Sequence, residues 1–185
     1  MKGLKLFLGL SVILFLSACA KPIANFTYNA SKKEAPSKVE FENLSELTLH
    51  EASKQQLEAV KKLENLTVLR VSHARPKTLD FIEGQNNLEE LVLEYVSGFD
   101  DLSPLAELPK LTALHMENLR RVRNFDGLSG SKRLKYLSIY GTLDWKQPIE
   151  SLDFLTNLIE LEYLDFGFIN FLSDFPVFEP LASMR

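Results

Sequence analysis

From residue 44 onward the chain repeats one arrangement of apolar and polar positions, Leu-x-x-Leu-x-apolar, six times. The pattern begins at Leu44, Leu66, Leu88, Leu111, Leu134 and Leu161, at spacings of 22, 22, 23, 23 and 27 residues. Its second position is always leucine (Leu47, Leu69, Leu91, Leu114, Leu137, Leu164), and its third is Leu49, Val71, Leu93, Met116, Ile139 or Phe166. Alternation with a period of two predicts a strand with one buried face. Nine residues before each pattern after the first stands Leu57, Leu79, Leu102, Phe125 or Leu152, and six before it Val60, Ile82, Leu105, Leu128 or Leu155. Between these apolar pairs lie Glu58, Asp80, Ser103, Asp126 and Asp153, mostly residue types that cap short helical turns. Each unit therefore predicts one strand and one short helical turn. A unit of about 22 residues cannot bury its own leucines, so neighbours must stack and share a core.

These units resemble leucine-rich repeats, close to the 22-residue bacterial type of internalin-like proteins, with Asp101-Leu102-Ser103-Pro104-Leu105 followed by Leu108 and Leu111 as the most typical stretch. The resemblance covers residues 44–185. It implies an α/β repeat solenoid with a parallel concave sheet of about six strands, short helical turns on the convex side, and binding on the concave face. It also implies an asparagine three residues after the last apolar strand position. Ala52, Ala74, Val96, Leu119, Thr142 and Ile169 stand there instead, with Asn118 and Asn170 one residue away. Without an asparagine ladder the turns must be satisfied by main chain or water, and loose, irregular loops are expected.

The N-terminus has a different character. Lys2 and Lys5 precede an apolar run from Leu6 to Leu16, followed by the small residues Ser17 and Ala18, which predicts a signal peptide over 1–18. The run is too short for a transmembrane helix, which needs about 20 residues. Leu16-Ser17-Ala18-Cys19 resembles the bacterial lipobox, which implies lipidation of Cys19 with diacylglycerol and a further acyl chain such as palmitate. More than one chain holds a protein stably at a membrane, so the resemblance implies an extracytoplasmic, lipid-anchored protein of the cell membrane or outer membrane. Ala20 in place of aspartate points to the outer membrane in a Gram-negative cell.

Residues 19–43 do not fit the repeat and predict a lipidated tether with a β-hairpin cap, Asn25–Tyr28 against Lys38–Glu42; a disordered tether is the alternative. This segment is weakly similar to the start of a polycystic-kidney-disease-type domain. At the other end Phe175, Phe178 and Leu181 keep the pre-strand phase and place an incomplete seventh unit at Met184. Either a short last unit caps the solenoid, or the chain is the N-terminal fragment of a longer repeat protein.

Composition narrows the function. With 45% hydrophobic and 25% charged residues and only 8 Gly and 8 Pro, the chain can bury a core. Loss of residues 1–18 removes Lys2 and Lys5 and no acid, leaving 19 basic against 25 acidic side chains. A nucleic-acid partner is not expected of such a surface. One cysteine excludes an intrachain disulfide and a multi-cysteine metal site. His50, His73 and His115 fall on different strands and in different columns, so no metal site is predicted from them, and no cofactor. Nucleophile-elbow, phosphate-loop and zinc-protease motifs are missing, and the chain is not expected to be an enzyme.

Residues between the strand leucines face out of the sheet in three columns. Glu46, Val68, Glu90, Ala113, Tyr136 and Tyr163 form the first; Thr48, Arg70, Val92, His115, Ser138 and Asp165 the second; His50, Ser72, Glu94, Glu117, Tyr140 and Gly167 the third. Tyr136, Tyr140 and Tyr163 predict one aromatic patch, bordered by Glu90, Glu94 and Glu117. Glu94 and Glu117 face each other as like charges, an arrangement that a basic ligand or a cation would offset. Twelve residues separate Ile139 from Leu152, where other units have seven or eight, and this insertion carries Trp145, the only tryptophan. Trp145 either reaches toward the tyrosines or folds back over the repeats. The expected function is a membrane-anchored module that binds a protein or peptide. The alternative is a structural or self-assembling envelope lipoprotein, and the sequence leaves oligomeric state open.

Overall fold

A computed structural model describes residues 26–29 and 44–173. The leader, Cys19, the Lys38–Glu42 strand of the expected hairpin, and the seventh-unit positions Phe175, Phe178, Leu181 and Met184 lie outside the described residues. Among those described, no helix is long and apolar enough to cross a membrane.

The repeat strands are β2 (Glu46–His50), β3 (Val68–Ser72), β4 (Glu90–Glu94), β5 (Ala113–Glu117), β6 (Tyr136–Tyr140) and β8 (Tyr163–Gly167). They pair in parallel, in sequence order, with like repeat positions opposite one another: Leu47, Leu69, Leu91, Leu114, Leu137 and Leu164 form one continuous row. The leucine phase alone dictates this register, because a slip of one residue would turn every leucine to solvent. A seventh strand, β1 (Phe26–Asn29), adds to the N-terminal edge and pairs in parallel with β2, Phe26 opposite Leu47. The segment expected to begin a hairpin thus extends the concave sheet.

The convex side carries one short helix, α1 (Lys54–Val60), and 3₁₀ turns at Asp80–Ile82, Ser103–Glu107, Asp126–Gly130 and Asp153–Asn157. Their buried residues, among them Leu57, Val60, Ile82, Leu105, Leu128 and Leu155, close one core with the strand leucines. The expected caps sit differently. Asp80, Ser103, Asp126 and Asp153 are the first residues of their turns and make no side-chain cap. Where a side chain caps, it stands two residues earlier: Asp101 Oδ1 accepts from the Ser103 N–H at 2.8 Å, Asn124 Oδ1 from Asp126 at 2.7 Å, and Ser151 Oγ from Asp153 at 3.0 Å. A short Asp, Asn or Ser side chain reaches the backbone N–H two residues on, so the cap comes from two residues ahead of the turn's first residue. In α1 the cap is Ser53, paired with Gln56 in a reciprocal box, and Glu58 lies inside the helix.

The missing asparagine ladder does not loosen the turns. Glu51, His73, Tyr95, Asn118 and Phe168, each the first residue after its strand, adopt φ of 53–55°. The backbone N–H of Glu51, His73, Tyr95 and Asn118 is donated to the next strand's last carbonyl, at 2.8–3.0 Å. One further ladder bond per unit does the satisfying, and apolar Ala74, Val96 and Leu119 are buried where asparagine was expected. Two buried glutamines assist. Gln85 donates to the Val60 carbonyl at 2.7 Å, and Gln147 donates to that of Val122 at 2.7 Å while accepting from the Leu119 N–H at 3.2 Å.

The insertion after β6 is ordered. It contributes β7 (Gln147–Ile149), which pairs in parallel with β9 (Ile169–Phe171) as a separate two-stranded sheet beside the main one.

Candidate functional site

The three outward columns form as the strand phase requires, with Tyr136 opposite Tyr163, Glu94 opposite Glu117, and Ser138 opposite Asp165. They are not equally open. In the middle column Val92, Ser138 and Asp165 are buried, and His115 retains 14% of its side-chain exposure. In the C-terminal half Tyr140 of the flanking column leans over it, its ring 5.9 Å from that of His115.

Tyr136, Tyr140 and Tyr163 are brought together, and Asp165 is what joins two of them. The Tyr140 hydroxyl donates to Asp165 Oδ2 at 2.6 Å and the Tyr163 hydroxyl to the same oxygen at 3.3 Å. The Tyr136 and Tyr163 rings lie side by side, centroids 6.4 Å apart. Tyr136 is the open member, 45% exposed. Gly167 is needed beneath Tyr140, since a Cβ there would occupy the space of that ring. Burial first and then the Asp165 carboxylate push the Tyr140 hydroxyl well above its ordinary pKa, and Tyr163 rises for the same reasons. Asp165 Oδ1 is buried and has no hydrogen-bond partner among the described residues. The sequence places Asp165 in its column but gives no sign of this role, which depends on two tyrosines in flanking columns bending inward.

Glu90 does not stand as a free border charge. Arg70 donates to its Oε1 at 2.6 Å and also approaches Glu46 at 3.9 Å. Glu94 and Glu117 remain, with no lysine or arginine within 4.0 Å among the described ion pairs. Burial and then repulsion from Glu117 raise the pKa of the Glu94 carboxyl.

His115 lies beside them, Nε2 at 3.9 Å from Glu94 Oε1, and its Nδ1 is hydrogen-bonded to the Ser138 hydroxyl at 3.0 Å. Burial lowers its pKa, opposed by Asp165. The other two histidines meet elsewhere: His50 and His73 rings contact edge to face at 4.8 Å, and His73 stacks on Tyr95 at 4.8 Å. The three histidines thus do not form a triad, but a mixed group of Glu94, His115 and Glu117 does converge, with a donor atom of each within 4.8 Å of the others. Counting histidines alone misses such a set.

Trp145 is half-buried, and among the described ring contacts none joins it to the tyrosines. The Arg120 guanidinium lies over its ring at 5.9 Å, above the turn that follows β5. Its loop closes on itself, with the Thr142 N–H donated to the Trp145 carbonyl at 2.7 Å.

No family model matches the chain, and no curated protein is similar to it at a meaningful level. Among solved structures it is similar to internalin C2 from Listeria monocytogenes, at 28% identity and a TM-score of 0.58, over 78% of this chain and 59% of that one. The chain thus spans about three-fifths of that protein's length. The likeness agrees with the repeat: the fold is an internalin-like leucine-rich-repeat solenoid.

Proposed function

We propose that this chain is a lipid-anchored, extracytoplasmic recognition module whose concave sheet binds a protein or peptide through the tyrosine patch, with the membrane tether at Cys19. The observation that carries the binding role is the cluster of Tyr136, Tyr140 and Tyr163, two of whose hydroxyls are fixed by one buried carboxylate. Rings held in place before binding lose little rotamer freedom on contact, and tyrosine is enriched among residues that dominate interface energies. Glu94 and Glu117 on the N-terminal side suit a partner with basic residues, whose encounter would be faster at low salt. The anchor reading rests on Leu16-Ser17-Ala18-Cys19. An internalin-like neighbour supports a binding scaffold rather than an enzyme.

The test is a photo-crosslinking residue at Tyr136 in intact cells, followed by affinity measurements on the partner so identified. Tyr136→Ala is expected to weaken that partner by about 2 kcal/mol, some thirtyfold, while convex Asp126→Ala leaves it unchanged. Unaltered affinity in Tyr136→Ala would exclude the concave patch, and crosslinks confined to copies of this chain would favour the self-assembling envelope protein. Labelled palmitate should enter the wild-type chain and not Cys19→Ser; failure to label the wild type would remove the anchor.

A further inference from the structure

We propose that Glu94, His115 and Glu117 form a divalent-cation site on the concave face, with a donor set best suited to zinc. The topology makes the triangle. His115 and Glu117 are two residues apart on β5 and so share a face, and Glu94 on β4 is the registered partner of Glu117. One nitrogen and two carboxylate oxygens therefore meet within 4.8 Å on neighbouring strands of a rigid sheet.

The separation suits closure on an ion. Zinc holds imidazole nitrogen and carboxylate oxygen at about 2.0–2.2 Å, so donors sharing one ion lie no more than about 4.4 Å apart. The glutamates must draw in by a few tenths of an ångström or more, and they have room: the Glu94 side chain is 44% exposed and Glu117 is only half-buried. The histidine needs no such movement. Its Nδ1 is engaged by the hydroxyl of Ser138, itself 3% exposed, so the ring is oriented from below and Nε2 is the nitrogen presented to Glu94. With the proton on Nδ1 donated to Ser138, Nε2 carries the free lone pair. An outer hydrogen bond of this kind is what orients metal-binding histidines.

Charge points the same way. Two carboxylates in register repel, and Arg70, the neighbouring cation, is committed to Glu90 and Glu46. An imidazole among the donors favours zinc over magnesium or calcium, which prefer all-oxygen shells. Three protein ligands leave the fourth position of zinc for water or for a donor from a bound partner. Occupancy cancels the acidic rim, so the salt-sensitive encounter described above belongs to the metal-free protein.

The experiment is titration of the full-length, metal-stripped protein in detergent with Zn²⁺ against a chromophoric chelator, with Co²⁺ as a spectroscopic probe of coordination. A single saturable site is expected. Each of His115→Ala, Glu94→Gln and Glu117→Gln should weaken it at least tenfold, with unchanged circular dichroism. Ser138→Ala should weaken it by about tenfold through loss of ring orientation, and His50→Ala should leave it unchanged. Lack of saturable binding, binding that survives His115→Ala, or equal loss in His50→Ala would overturn the proposal. Since the titration requires no partner, its failure leaves the tyrosine-patch reading standing.

Discussion

Tyr140 and Asp165, 25 residues apart in sequence, are locked together by a 2.6 Å hydrogen bond from phenol to buried carboxylate. The bond spans two strands and two columns of the concave face, and it turns a row of separate side chains into one unit. Among the described residues Asp165 has little else to rely on: Oδ1 has no partner there and Tyr163 stands at 3.3 Å from Oδ2.

Tyr140→Phe should therefore cost more than an ordinary surface tyrosine. The ring's packing survives, but a buried carboxylate loses its short donor, a change worth about 2 kcal/mol. Urea denaturation at neutral pH would measure it, and a loss below a few tenths of a kcal/mol would mean that Asp165 is satisfied otherwise.

The same bond sets a pH dependence. The folded Tyr140 pKa is raised, so the folded chain keeps a proton that the unfolded chain gives up near pH 10. The stability tied to that proton is fully present below about pH 10 and is lost as pH climbs through the raised folded value. Absorbance titration of the phenols should show at least one tyrosine ionising late, and Tyr140→Phe should remove a late component. Simultaneous titration of all the tyrosines in the folded protein would contradict it.

In the core, Leu91→Ala and Leu114→Ala should each cost about 2–5 kcal/mol, because both side chains are fully enclosed between neighbouring units. A loose N-terminal cap would make Leu47→Ala milder. Leu47 is 1% exposed and its strand is covered by β1, so a loss of similar size is expected there. Thermal or chemical denaturation of the three variants side by side decides the matter.

Gln147→Ala should be as damaging as a core truncation although the residue is polar. It strands the Leu119 N–H and the Val122 carbonyl in the interior, at about 1–3 kcal/mol for each unpaired group. Hydrogen exchange should show Leu119 losing protection first; retained protection would mean that another group takes over.

The strand leucines were legible because one period fixes both which residues are buried and which pairs stand opposite, and every strand from β2 to β6 and β8 follows from it. The columns were legible for the same reason. What sequence could not show is how side chains bend across columns: that Tyr140 leans over Gly167 to Asp165, that Glu90 is claimed by Arg70, or that Trp145 rests under Arg120. These depend on rotamers and on sheet curvature, neither of which leaves a periodic trace. Without an asparagine ladder the turns were expected to fall to main chain or water, and main chain takes them; what was misjudged is the looseness expected to follow. A single residue with positive φ donating onto the next unit serves equally, and residues as unlike as Glu51, Tyr95 and Asn118 adopt it.

The insertion after β6 leaves the strand register untouched: Tyr136 still faces Tyr163, and Tyr140 still faces Gly167. Both ends of the extra loop are pinned to the next unit, Gly141 N–H to the Gly167 carbonyl at 2.8 Å and Gln147 N–H to that of Phe168 at 2.9 Å. Between them, Leu143 stands 84% exposed at the tip. Loop length adds to closure entropy only logarithmically, so foreign sequence spliced between Leu143 and Asp144 would be displayed at the rim of the concave face while the solenoid behind it stays in phase. For an engineer, this segment is a grafting port with both anchor points already built.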